Sequence, residues 1–478
     1  MKTVESKFES GVSDAVSKPE GVAFIKGSGP LRGQPNLPGD KSISHRTAIL
    51  SSLCQGPVSI RGFSQGADCL TTLRCLRELG VSITATGSGR LQVKGVGLQG
   101  WTRPKAQLDA GNSGTTVRLL TGALARCSFR VGLTGDESLQ KRPMGRVILP
   151  LREMGAGIDA HHDLTAIEGG DPLRLPLTIQ GGVLKGIAYN MPVASAQVKS
   201  AILLAGLGAT GPTAVVEPAP SRDHTERLLR FLGVDVEVQQ SRDCDGITVK
   251  MNPPQPGALR LPKGVKALTV PGDVSAAMFY IAAALVVPGS LVSINNVGLN
   301  PTRTGALEAL RRMGANLSIS NLRTVSGEPV GDIEVKSGTL RGIELSGHII
   351  PSLIDEIPIL ALLATQAQGT TVIRDAAELR VKETDRIAAM VRELSGLGAS
   401  LQETEDGLII EGKGALCGGS ANSWGDHRIA MTLAVAGLCS ADGVELHGSR
   451  WVGISDPGFF SNLEALGAQC SVRAGDGQ

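Results

Sequence analysis

Hydrophobic and polar positions along the chain fall into a short pattern that recurs six times. Leu-x-x-(Leu/Met)-Gly-(Ala/Val), then an alternating run, reads LRELGVSI (76–83), LREMGAGI (151–158), LRFLGVDV (229–236), LRRMGANL (310–317), LSGLGASL (394–401) and LEALGAQC (463–470). The apolar spacing predicts an amphipathic helix and the alternation a strand. Gly80, Gly155, Gly233, Gly314, Gly398 and Gly467 fall where each helix ends, a left-handed position that glycine enters without penalty.

A second series lies between these glycines: a polar turn, then a helix built of small apolar residues. Its members are GDKSISHRTAIL (39–50), AGNSGTTVRLLTGALA (110–125), VASAQVKSAILLAGL (193–207), GDVSAAMFYIAAALV (272–286), IDEIPILALLATQA (354–367) and GDHRIAMTLAVAGL (425–438). Helices apolar nearly all round are expected to be fully buried. Ser, Asp or Asn near each start predicts a side-chain cap, leaving backbone N–H groups and a positive dipole end.

The glycines are spaced 75, 78, 81, 84 and 69 residues apart. Solenoid repeats usually run ~20–50 residues, so these longer units favour a closed, pseudo-threefold α/β domain built twice. Six helix N-termini turned toward the space between two lobes would form an anion trap.

Composition narrows the functional classes. Of 478 residues 62 are glycine, while Trp, Tyr and Phe number only 3, 2 and 8. A 41% hydrophobic content suffices for packed cores and argues against a disordered chain. With 47 basic and 45 acidic residues the net charge is +2, and no basic stripe with interleaved aromatics points to nucleic acid. Eight scattered cysteines without a CxxC pair give neither a disulfide framework nor a zinc spacing. Reduced, mostly buried thiols in a cytoplasmic protein are expected, with no metal. No stretch of about 18 uncharged apolar residues predicts a membrane span. Residues 1–20 carry Glu5, Glu9 and Asp14 and read as a loose tail rather than a targeting segment.

The polar turns hold more charge than capping needs. LPGDKSISHR sets Lys41, Ser42 and Arg46 at a helix start, without the spacing of a P-loop. GDESLQKRPMGR places Lys141, Arg142 and Arg146 around a proline turn, although a solvated loop would look the same. In LRVKETDRIAAM a helix would put Lys382 and Glu383 one turn before Arg386; a surface salt-bridge helix is the plainer alternative. GDHRIAM puts Asp426, His427 and Arg428 ahead of a buried helix, and Asp355 and Glu356 stand as caps before another. Arginine forks and lysines converging with a few carboxylates suit a small substrate with two anionic groups and a proton transfer. The near-zero net charge would then conceal a locally cationic cleft.

These residues resemble a known family. LPGDKSISHR, GNSGTTVRL, KRPMGR, ASAQVKSA, RDHTE, VKETDR and GDHRIAM are similar, in order, to the signature segments of the 5-enolpyruvylshikimate-3-phosphate synthase family, across roughly residues 22–475. The resemblance implies an inside-out α/β barrel of the enolpyruvyl transferase type, with two lobes of three βαβαββ-like units. Residues 40–269 would form one lobe, and 21–39 with 270–478 the other. It also implies transfer of the enolpyruvyl group from phosphoenolpyruvate to shikimate 3-phosphate, in the aromatic amino acid pathway that glyphosate targets. No metal or organic cofactor is implied, and a cytoplasmic monomer is expected.

By motif, Lys41, Ser42, Arg46, Ser195, Ala196, Gln197, Arg222, Asp355 and Lys382 would hold shikimate 3-phosphate. Lys41, Asn112, Gly114, Arg142, Gln197, Arg386 and Arg428 would hold phosphoenolpyruvate. Lys41, Asp355 and Glu383 would be catalytic: Asp355 takes the 5-hydroxyl proton and Glu383 protonates the C3 methylene. The neighbouring Lys382 and Arg386 favour an ionised Glu383, so its acid role comes from the resemblance alone.

Two features set this chain apart. Ile454 and Asp456 stand where many members have lysine and phenylalanine, and Ser195-Ala196-Gln197 resembles the non-enteric bacterial branch. The rival readings are a UDP-N-acetylglucosamine enolpyruvyl transferase, an RNA-end cyclase using His45, His224 or His427, and an inactive anion-binding scaffold. The loop before Arg142-Pro143 lacks the cysteine of the first, and the low net charge disfavours the second.

Overall fold

A computed structural model describes residues 21–27, 29–163, 171–240, 246–255 and 257–473. The tail expected over residues 1–20, and Cys244, lie outside the described residues. The chain divides into two compact units. Among the described residues, unit one holds Gly39–Val270 with Val325–Glu328, and unit two holds 21–38, Pro271–Thr324 and 329–473. Each has its own apolar core, and the architecture is mixed α/β.

The four-stranded sheets share one arrangement, in which the first pair of strands is parallel and the second antiparallel. In unit one, Ala267–Thr269 runs parallel to Gln55–Arg61, with Leu268 opposite Ile60. Arg90–Val96 pairs antiparallel on its other side, followed by Ser82–Gly87. In unit two, Val22–Lys26 lies between Val444–His447 and Gln469–Arg473, antiparallel to both. That pairing joins the segment around residue 22 to the same sheet as residues beyond 440.

Six helices carry the polar turns: α1 (Lys41–Leu53), α2 (Gly114–Leu124), α3 (Ala196–Gly206), α4 (Val274–Val286), α5 (Ile357–Thr365) and α6 (His427–Leu438). Every residue from Val274 to Leu285 in α4 is buried. Small residues make this packing possible. A methyl group added at Gly122 in α2 would stand 2.2 Å from the Ala201 carbonyl oxygen of α3.

Asp40, Ser113, Ser195, Asp273 and Asp426 each accept a backbone N–H at the start of their helix. α5 departs from the expected capping: it begins after a 3-10 turn, Ile354–Glu356, without a side-chain cap. Asp355 is therefore directed elsewhere. Gly347–Thr365 is long and apolar enough to cross a membrane by length and composition alone. It carries Asp355 and Glu356, and Ile357–Thr365 is wholly buried in the core of unit two.

The six helix-ending glycines all have positive φ, from 82° to 110°. At each, the glycine N–H bonds to a carbonyl three residues back, and the next N–H bonds five back. This is the double hydrogen bond of a Schellman ending.

The helix contact at Gly122 yields a signed prediction. Alanine gains about 1 kcal/mol in helix propensity, but its methyl would collide with backbone that cannot swing aside. Gly122→Ala is expected to be destabilising on balance, by about 1–3 kcal/mol in denaturant titration. An unchanged or raised midpoint would contradict the close approach of α2 and α3.

Candidate active site

In unit one, the start of α1 presents Lys41, whose ammonium lies 2.5 Å from Asp68. Arg46 lies one turn further on and is only 3% exposed. Its Nε donates to Thr225 Oγ1 at 2.7 Å, Nη1 to the Ser42 carbonyl at 2.9 Å and Nη2 to Ser200 Oγ at 2.9 Å. A guanidinium has five N–H donors, so one hydrogen on each terminal nitrogen remains for a bidentate anion. Burial pushes Arg46 down to about 10, and the nearby charge of Arg222 acts in the same direction. Arg46 stays cationic at neutral pH. Two such cations within mutual influence are relieved by an anion bound to both.

α2 and α3 bring in the next set. Asn112 donates to Asp136 Oδ2 at 2.7 Å, and its oxygen accepts from Arg142 Nη2 at 2.9 Å. Lys141 and Arg146 from the same segment are exposed. A methyl group at Gly114 would meet Arg118 Nη1 at 3.3 Å and Arg142 Nη1 at 3.4 Å, so glycine keeps this helix start clear. Ser195 caps α3, Ala196 is its first residue, and Gln197 Nε2 donates to Thr115 Oγ1 at 3.1 Å. Arg118 Nη1 in turn donates to Gln197 Oε1 at 2.6 Å. The sequence reading did not single out Arg118. Its signal was the four-residue spacing from Gly114, which puts both on one face of α2.

His45 is wholly buried and pushed down to about 3, chiefly by burial. It is neutral at physiological pH and bonds Thr72 Oγ1 at 2.7 Å. Thr72 continues to Thr116 at 2.7 Å and Thr116 to Ser113 at 2.7 Å, so the chain runs from α1 to the cap of α2. His224 pairs with Glu328 at 2.8 Å. Both histidines thus sit in buried polar contacts.

In unit two, Arg386 is 2% exposed and surrounded by carboxylates. Its Nε donates to Asp426 Oδ2 at 2.7 Å, Nη2 to Glu383 Oε2 at 2.8 Å and Nη1 to Asp355 Oδ1 at 3.4 Å. Burial alone would lower its pKa; Asp426, Glu383 and Asp355 outweigh it and hold the cation. Arg428 Nη1 donates to the Asp355 carbonyl at 3.0 Å and to Glu356 Oε1 at 3.3 Å. Lys382 lies 4.0 Å from Asp355 and 2.5 Å from Glu378. Behind Glu356, Ser275 donates to its carboxylate and accepts from Arg303 at 2.6 Å.

Two sequence readings are corrected here. Lys382 and Glu383 are not helical: Lys382 is extended, and the helix starts at Arg386 after Asp385, whose side chain accepts the Ala388 N–H. The capping carboxylate ends the preceding turn, yet the bend still brings Glu383 to Arg386. This cluster is also not cationic, because Lys382, Arg386 and Arg428 face Asp355, Glu356, Glu383 and Asp426.

The two unusual late residues have structural surroundings. Asp456 is buried, accepts the Tyr280 hydroxyl at 2.6 Å and the Gly458 N–H at 3.1 Å, and is pushed up to about 6 by burial. Ile454 ends a 3-10 turn, Ser449–Ile454. Among the described cysteines, Cys54, Cys69, Cys75 and Cys127 are buried free thiols, while Cys417 is exposed.

A family model described as EPSP synthase (3-phosphoshikimate 1-carboxyvinyltransferase) matches residues 25–463. A 3-phosphoshikimate 1-carboxyvinyltransferase of Geobacillus kaustophilus (strain HTA426) is 52% identical over 91% of this chain and 98% of its own length. One from Desulforamulus reducens is 50% identical over 91% and 97%. The solved EPSP synthase of Acinetobacter baumannii is 41% identical, with a TM-score of 0.81 over 95% of this chain and all of that one. The enolpyruvyl transferase NikO of Streptomyces tendae, at 18% identity and a TM-score of 0.74, shares the fold. The fold is thus that of enolpyruvyl transferases. The chain itself belongs to the EPSP synthase family, and its relatives at about 50% identity match the non-enteric bacterial branch expected from Ser195-Ala196-Gln197.

Asp426 both caps α6 and pairs with a buried guanidinium. Asp426→Ala is expected to cost roughly 3–5 kcal/mol in denaturant titration, since it strands Arg386 beside its weaker contacts. A loss below that of an ordinary cap would show that Arg386 does not depend on this pair.

Proposed function

We propose that this enzyme transfers the enolpyruvyl group of phosphoenolpyruvate to the 5-hydroxyl of shikimate 3-phosphate, releasing phosphate and forming 5-enolpyruvylshikimate 3-phosphate. Membership of the EPSP synthase family and identities near 50% to 3-phosphoshikimate 1-carboxyvinyltransferases support the reaction. The observation that carries the residue roles is the Arg386 cluster. It joins a candidate base, Asp355, and a candidate acid, Glu383, to one buried guanidinium.

In this reading Lys41, Ser42, Arg46, Ser195, Ala196, Gln197, Arg222, Asp355 and Lys382 hold shikimate 3-phosphate. Phosphoenolpyruvate is taken by Lys41, Asn112, Gly114, Arg142, Gln197, Arg386 and Arg428. Arg118 joins this group by holding Gln197 in place. Asp355 removes the 5-hydroxyl proton as the oxygen attacks C2, while Glu383 gives a proton to C3 and creates a methyl group. Loss of phosphate from C2 and of one methyl proton then restores the double bond as an enol ether.

The ligand-free pairing bears on the acid. Glu383 shares Arg386 with Asp355 and Asp426, so an anionic substrate that takes the guanidinium releases Glu383 from its cation. A released, desolvated carboxylate favours protonation. We also read the similar sheets as six βαβαββ-like units in inside-out barrels, over 40–269 and over 21–39 with 270–478.

Phosphate release from phosphoenolpyruvate is expected only when shikimate 3-phosphate is present. Release with UDP-N-acetylglucosamine, or with no acceptor, would overturn the reading. Glu383→Gln is expected to lower kcat by about 10²–10⁴-fold, the range for a lost general acid. Turnover near that of the unaltered enzyme would remove Glu383 from the chemistry.

A further inference from the structure

α3 carries a single charged residue, placed one turn past its cap. Lys199 is fully buried, and so are its partners: Nζ lies 2.5 Å from Glu217 Oε2 and 2.7 Å from Glu226 Oε1. It also reaches the Ser221 carbonyl at 3.5 Å. The Ser221 hydroxyl donates to the other oxygen of Glu217. Burial pushes Glu226 up in pKa, while burial of Lys199 is outweighed by its two carboxylates. Burying this cation with its carboxylates costs desolvation that an apolar side chain of similar volume would avoid.

Its partners lie on both sides of Arg222. Ser221 precedes that residue directly, and Glu226 follows within the helix His224–Phe231. The next residue of α3, Ser200, bonds Thr225 Oγ1 at 2.7 Å, and both hydroxyls accept from Arg46. Lys199 and Ser200 therefore tie the α3 backbone to the loop bearing Arg222 and to the hydroxyls orienting Arg46. Those two arginines influence each other electrostatically, so their separation decides how well one dianion fits both.

We propose that Lys199 is a positioning residue for the acceptor. By pinning Ser221 and Glu226 it sets the spacing of Arg222 and Arg46 against the anionic group of shikimate 3-phosphate. The proposal rests on the functional reading above and adds a residue that touches neither substrate. It predicts a selective effect, because the ion pairs of Lys199 run to Glu217 and Glu226, on the side of the loop that bears Arg222.

The test is steady-state kinetics with both substrates, alongside calorimetric titration of shikimate 3-phosphate, on unaltered protein, Lys199→Met and Lys199→Met/Glu226→Gln. Lys199→Met keeps side-chain length but leaves two carboxylates together, and the double variant removes that like-charge burden. Both are expected to raise the shikimate 3-phosphate KM and Kd about 10- to 100-fold, as for a displaced positioning contact. The KM for phosphoenolpyruvate, and kcat at saturation, are expected to stay within about twofold, while the double variant melts nearer the unaltered protein. An unchanged shikimate 3-phosphate KM in either folded variant overturns the proposal. So does a parallel loss in both KM values and kcat, which would indicate general damage. Failure of both variants to fold overturns it as well, because the triad would then serve folding alone. If the unaltered protein does not bind shikimate 3-phosphate, the functional reading fails first and the proposal with it.

Discussion

A guanidinium taken out of water must be satisfied by the protein before it can serve a substrate, and much of this structure follows from that need. Arg386 meets it with carboxylates: Asp426, Glu383 and Asp355. Arg46 meets it with neutral oxygens from Thr225, Ser200 and the Ser42 backbone. The difference has chemical consequences. Neutral partners leave Arg46 its full charge for an anion, whereas Arg386 is neutralised and must be won from its carboxylates. One of those, Asp426, also caps α6 and is committed to structure. Asp355 and Glu383, more exposed, are the ones a substrate can displace.

Buried helix starts provide the second half of the arrangement. Five of the six are capped by a side chain, which uses only part of the N–H array at each end. The exception, α5, shows why. Its preceding turn leaves Asp355 to face Arg386, Lys382 and Arg428 instead of its own backbone. A helix without a side-chain cap here is the counterpart of a carboxylate turned toward three cations. Close packing of α2 against α3 depends on Gly122, and it explains how a chain with 13 aromatic rings still fills two cores.

Much of this was legible in the sequence because it depends on local rules. The six glycines announce helix ends through a conformation that other residues adopt only with strain, and the capping Ser and Asp residues announce most starts. What failed was local pattern set against a competing cap. The three- and four-residue spacing to Arg386 suited a helix through Lys382 and Glu383, but Asp385 captures the Ala388 N–H and begins the helix later. Asp355 looked like a cap because its tertiary partners, 31 and 73 residues away, are invisible locally. The expected cationic character failed for the Arg386 cluster for the same reason, since the carboxylates belong to distant segments. Arg118 and Lys199 were visible as letters inside recognised motifs. Their importance lies in partners brought by other helices and strands, Gln197 for one and Glu217 with Glu226 for the other.

The central claim is that an anionic substrate displaces Glu383 from Arg386 and leaves that carboxylate to take up a proton. Phosphoglycolate carries a phosphate and a carboxylate but no enol carbon, so it occupies anion sites without turnover. Calorimetric titration of phosphoglycolate into protein saturated with shikimate 3-phosphate, in two buffers of different ionisation enthalpy, measures the protons exchanged. The account predicts net proton uptake at neutral pH that disappears in Glu383→Gln. Equal uptake in the two proteins, or none in the unaltered one, would contradict it.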